Sequence, residues 1–170
     1  MKKQFDSRRL SDIANDKSVE LHGIFEIEKT RANLISYLGA LGYDLEEKDL
    51  TQTNQPPERE LTDFVDGKKF RDDNFAYWIS FQLKMSGRDV EVMENGKKVI
   101  KTKGVALLVV SLYLETDPYK KEPSAKIAKF WHNLFLKFHL EHMEADAIVE
   151  GAGEVGDFIK FFRTQVGSKV

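Results

Sequence analysis

Apolar and polar positions change rhythm along the chain, and the rhythm predicts the elements. Residues 1–18 are polar and mixed in charge, which predicts a tail or one short helix over Ser7–Asn15. Val19–Ile27 alternates loosely and is rich in strand formers. Leu34, Ile35, Leu38 and Leu41 then recur on one helical face, with Thr30 as N-cap and Gly42 as stop. A second strand is expected from Tyr43 through Leu45, and Thr51–Glu58 reads as a loop because of its paired prolines. Asp66-Gly67 suits a hairpin turn between Glu60–Val65 and Lys68–Arg71.

The clearest strand pattern is Phe75–Met85, where Phe75, Tyr77, Ile79, Phe81, Leu83 and Met85 share one side. Asp89–Met93 and Lys97–Lys101 flank Glu94-Asn95-Gly96, a type I′ hairpin signal. Val105–Leu114 is an unbroken apolar run and reads as a central strand covered on both faces. Ser124–Val149 reads as a long helix with Ile127, Phe130, Trp131, Leu134, Phe135 and Phe138 on one arc. Gly151–Gly156 then predicts a flexible joint, and Asp157–Val166 a short amphipathic helix.

The order predicts an α+β fold: a twisted, mostly antiparallel sheet covered by a long C-terminal helix. Three regions follow: the tail 1–18, a single domain 19–150, and the joint with its short helix 151–170. At layout level this is similar to the helix-grip arrangement, in which a curved sheet wraps a long C-terminal helix. No signature residue carries that likeness.

Composition removes whole classes of chemistry. The chain has 170 residues, 41% of them hydrophobic, with 26 basic against 28 acidic side chains and a net charge of -2. That excludes global disorder and gives no dominant nucleic-acid footprint. Zero cysteine excludes thiol nucleophiles, disulfide scaffolds and Cys-ligated metal, and fits a cytoplasmic setting. No apolar run approaches the length of a membrane span, and the N-terminus lacks the apolar stretch of a secretory signal.

Four constellations invite chemistry. Gly151-Ala-Gly153-Glu-Val-Gly156 matches G-x-G-x-x-G, but only 14 residues follow, too few for the second strand and its ribose-binding carboxylate. His139, His142 and Asp146 fall close together on one helical face, the geometric minimum for a metal. A half-buried histidine edge, which also takes in His132, is the favoured reading. Tyr77, Trp78, Phe81, Trp131 and Phe135 could line a pocket between sheet and helix, or simply fill a core. Val155, Phe158, Ile159 and Phe162 form an apolar face on a helix too short to stand alone, so it must dock on something.

Adjacent carboxylates such as Asp72-Asp73 and Glu46-Glu47 point to opposite faces of a strand and make no acid–base pair. No serine lies in a nucleophile elbow. The expectation is a non-enzymatic intracellular binding or assembly protein. Its contact surface would be the C-terminal helix face, toward a protein partner or a second copy. The alternative is a small-molecule carrier or enzyme with an apolar cavity under the long helix. No cofactor is expected.

Overall fold

A computed structural model describes residues 10–116 and 126–167. The elements are β1 (Leu10–Phe25), α1 (Ile27–Ala40), β2 (Asp44–Gln55), β3 (Glu58–Phe70), β4 (Phe75–Glu94), β5 (Lys97–Thr116) and α2 (Lys126–Gln165). The five strands form one antiparallel sheet in the order β1-β5-β4-β3-β2, so the first strand pairs with the last. The α+β class and the antiparallel sheet agree with the sequence reading.

Strand pairing overrides several local signals. β2 extends through Thr51–Gln55, and only Pro56-Pro57 separates it from β3, so the expected loop is a tight turn. Asp66 and Gly67 sit inside β3, opposite Glu46 and Leu45 on one side and Ser80 and Ile79 on the other. The turn falls instead after Phe70, where the Asp72 carboxylate accepts from the backbone N–H groups of Asn74 and Phe75. Residues 10–18 belong to β1 rather than to a tail, because they pair with the far end of β5. The remaining tail residues, 1–9, lie outside the described residues. Helix α1 begins at Ile27, so Thr30 is a buried residue of its first turn rather than its cap.

The Asn95-Gly96 turn is where the sequence placed it. Both residues have positive φ, 49° and 78°, the conformation a two-residue type I′ turn requires. It closes an unbroken ladder from Phe75↔Thr116 to Glu94↔Lys97.

One face of the sheet carries the core. Leu61, Val65, Phe75, Tyr77, Ile79, Phe81, Leu83 and Met85 are buried with Ala106, Leu108, Val110, Leu112 and Leu114. Leu34 and Leu38 of α1 and Ala147, Val155, Phe158 and Phe162 of α2 pack on that same cluster. On the opposite face of β5, Val105, Leu107 and Val109 are only half-buried. The apolar run of β5 is therefore covered on one face, not two.

Asp63 is fully buried on β3, and its Oδ2 accepts from Arg31 Nε at 2.6 Å, which ties α1 to the sheet. Arg31 also reaches Glu47.

Helix α2 is continuous from Lys126 to Gln165, so the glycine-rich stretch is not a joint. Gly151 lies where the helix comes closest to the sheet. A Cβ there would meet Ile13 Cδ1 at 2.8 Å, Leu112 Cδ2 at 3.0 Å and Tyr77 Cε1 at 3.1 Å. Gly153, by contrast, has nothing within 4 Å of a Cβ. Gly151→Leu should therefore overpack the interface and cost about 1–3 kcal/mol. Gly153→Ala should stabilise the helix by about 0.5–1 kcal/mol. Urea unfolding of the two variants checks the contrast, and a neutral Gly151→Leu would mean that the helix is not seated this closely.

Candidate functional site

The apolar face at the end of α2 is occupied within the fold. Val155, Phe158 and Phe162 are buried and Ile159 is half-buried. Phe158 stacks at 6.0 Å on Tyr37 of α1 and meets Phe81 of β4 edge-on at 5.6 Å. Phe161 stacks on Tyr37 at 4.4 Å. The face expected to meet a partner is thus docked on its own sheet and on α1. Amphipathic spacing says that a face is buried but not against what.

The five residues proposed to line a pocket are dispersed. Tyr77 and Phe81 are in the core. Trp78 points to the opposite face, where its Nε1–H donates to Glu115 Oε2 at 2.6 Å and the Lys68 ammonium lies 4.6 Å from its ring centre. Strand alternation forces this, since neighbours at 77 and 78 cannot share a face. Trp131 is 62% exposed, and the side chain of Phe135 lies outside the described residues. From Ala147 onward, α2 packs on the sheet and α1 through the close contacts around Gly151 and Phe158.

A polar cluster crosses that interior. Glu154 Oε2 accepts from the Tyr43 hydroxyl at 2.8 Å, and Glu154 Oε1 pairs with the Lys69 ammonium. Tyr77 donates to the Ala147 carbonyl at 2.8 Å, and Arg71 Nε reaches Glu150 at 2.7 Å. The Lys69 ammonium lies 5.0 Å from the Tyr43 ring centre and 5.3 Å from that of Tyr77. Burial pushes the Tyr43 hydroxyl up, and the Glu154 carboxylate adds to it. Burial also raises Tyr77, with Glu150 adding and Arg71 opposing. The groups satisfy one another, so the cluster anchors α2 rather than presenting a poised nucleophile or base. Sequence reasoning missed it. The signal was a single acidic residue, Glu154, one turn before Phe158 at the margin of the apolar stripe.

His142 and Asp146 are exposed, and the side chains of His132 and His139 lie outside the described residues. Among the described residues no group of three or more His, Asp or Glu side chains could hold a metal. The G-x-G-x-x-G segment is helical throughout, so it forms no phosphate-cradling turn.

Two large aromatics near the start of α2 face outward. Phe130 is 61% exposed and Trp131 62%, their rings in edge contact at 5.8 Å. At 3.6 residues per turn, Trp131 lies roughly 160° around the helix from the centre of the sheet-facing stripe of Ala147, Gly151, Val155, Phe158 and Phe162, and Phe130 roughly 60° from it. Of the arc expected to cover the sheet, Trp131 is turned away from it and Phe130 sits at the margin of the stripe, exposed.

No family model matches the chain, and no curated protein matches it. Among solved structures it is similar to an uncharacterized protein from Rhizobium leguminosarum, 8% identical, covering 92% of this chain and 98% of that one. The TM-score of 0.22 carries no argument. Among the described residues, no helix is long and apolar enough to cross a membrane.

The tyrosine cluster makes stability fall at high pH. In the unfolded chain tyrosine ionises at about pH 10, whereas Tyr43 and Tyr77 are held protonated above that in the fold. Above about pH 10 the unfolded state binds fewer protons, so stability drops by about 1.4 kcal/mol per pH unit for each such tyrosine. Urea unfolding between neutral and strongly alkaline pH should show this decline, with a shallower slope in Tyr43→Phe. An unchanged slope in that variant would remove Tyr43 from the account.

Proposed function

We propose that the protein is a non-enzymatic binding or assembly protein whose contact surface is the aromatic part of the first half of α2, centred on Phe130 and Trp131. The observation that carries this is their exposure, 61% and 62%, with Trp131 on the side of the helix away from its sheet-facing stripe. Two adjacent large aromatics left in water forgo the burial energy that aromatic residues supply at interfaces. Val149 at 73% exposure and Met143 at 38% add apolar surface further along the helix. The self-satisfied polar cluster at Glu154 supports a non-catalytic reading. A cytoplasmic setting goes with it, supported by the absence of cysteine.

A second copy of the chain is the first partner to test. Light scattering should show mass rising with concentration, and Trp131 emission should shift to the blue as the ring leaves water. A Phe130→Ser/Trp131→Ser double variant should stay monomeric with an unchanged circular dichroism spectrum, because neither side chain enters the core. A wild-type protein that stays monomeric at every concentration, with Trp131 fully accessible to quencher, would overturn self-assembly as the function.

A further inference from the structure

The end of the sheet away from the start of α2 carries a cleft lined by β1, β4 and β5 and bordered by Gly167. Three glycines lie side by side across β1, β5 and β4, with Gly23 opposite Gly104 and Gly104 opposite Gly87. The backbones there are too close for side chains. A Cβ on Gly104 would sit 1.9 Å from the Ser86 carbonyl oxygen, and one on Gly87 2.4 Å from that of Lys103. A glycine pair in a strand interior marks a bend or a close approach. Beyond it the β4–β5 hairpin continues to Asn95-Gly96.

The cleft at this bend has a volume of about 960 Å³, which is at the upper end of the ~300–1,000 Å³ typical of small-molecule sites. Its walls are Ile24, Val90, Val92 and Met93, of which Ile24 is 40% exposed and Met93 65%. Ile24, Val90 and Val92 share the outward side with Val105, and the basic residues Arg88, Lys101 and Lys103 stand between them on the same side.

The rim is cationic in an unusual way. Arg88 and Lys103 are direct cross-strand partners, and both line the cleft. Like charges placed directly opposite destabilise a strand pair. Arg88 is only loosely balanced by Glu58, at 3.4 Å with both side chains at least 70% exposed. Among the described residues no carboxylate pairs with Lys103. The other rim cation, Lys101, is neutralised by Glu94 and Glu26. His22, also on the rim, pairs with Glu20 at 3.2 Å. An anionic group between Arg88 and Lys103 would relieve their repulsion, and an apolar chain attached to it would run along β4 over Val90 and Val92.

We infer that this cleft binds a free amphiphile with a carboxylate head and a long alkyl chain, a fatty acid in chemical class. The head sits between Arg88 and Lys103, and the chain covers the apolar wall. This is independent of the α2 contact surface, which lies on another element.

Titration calorimetry with monomeric dodecanoate tests it on the full chain. Saturable binding of one molecule per chain is expected. Dodecanol, which has the same chain and no charge, should bind on the order of tenfold more weakly or worse. The Arg88→Gln/Lys103→Gln double variant should lose a similar factor for dodecanoate and little for dodecanol. Both residues are exposed, so the variant should keep the native circular dichroism spectrum. Equal affinity for acid and alcohol, or unchanged binding by the double variant, would overturn the proposal. So would binding only to anionic phospholipid vesicles with none to monomeric dodecanoate, which would make the surface a membrane contact instead.

Discussion

The seating of α2 on the sheet at Gly151 sets the geometry of everything that follows in the chain. The helix approaches so closely that Ile13, Leu112 and Tyr77 occupy the space a side chain would need. One turn and two turns later, Val155 and Phe158 continue the contact, and Phe162 completes it. A helix gripped along such a stripe cannot rotate without breaking it. Because α2 is continuous, the same grip sets the direction in which Trp131 leaves the helix. The outward position of Trp131 is a geometric consequence of the packing about 20 residues downstream, given the regular rise and turn of an α-helix.

Polar contacts then lock the translation that apolar packing leaves free. Hydrophobic burial is non-directional, so a stripe of Val and Phe could slide by a turn at modest cost. Tyr43, Lys69 and Glu154 admit one setting, because a shift of one turn would strand a carboxylate at the edge of the core. Ser11 donating to Glu144 at 2.7 Å and Asn33 donating to Gln165 at 2.6 Å pin the helix at its middle and at its C-terminal end. Helix α1 is held in the same manner by Arg31 on the buried Asp63. Breaking that pair from one side would leave a charge uncompensated in the core, a loss of about 3–5 kcal/mol.

The parts of the fold that were legible are those whose cause is local. Asn95-Gly96 demands a left-handed backbone wherever it occurs between strands, so its turn could be read directly. The alternation of Phe75–Met85 reports one buried face and held throughout. Where the cause is a distant partner, local reading failed. Thr51–Gln55 is polar and has no helical or strand periodicity of its own. It is extended because Arg59–Thr62 and their neighbours supply a ladder for it. Asp66-Gly67 has turn chemistry, but strands on both sides hold it straight. The glycines after Val149 favour a break, with a penalty of about 1 kcal/mol each in a helix. Burial of Phe158 and Phe162 outweighs that, and Gly151 turns its missing side chain into close packing. The candidate site was the least legible part. Amphipathicity could mark Phe158 and Phe162 as buried, yet only the tertiary fold decides whether the cover is a partner or the chain itself.

The two surfaces proposed to bind lie toward opposite ends of α2. Phe130 precedes Gln165 by 35 residues, which spans about 50 Å along a helix. The C-terminal end meets the sheet at Gly23, where a Cβ would stand 2.4 Å from the Val166 carbonyl oxygen, and Gly167 borders the cleft. Any influence of one surface on the other would have to pass through the stripe that Gly151 seats. That stripe is packed and polar-locked, so it has no evident second arrangement, and coupling between sites needs an element with two. The two proposed surfaces therefore lie on different elements, with the packed stripe around Gly151 between them. Occupation of the cleft should leave the aromatic surface in place.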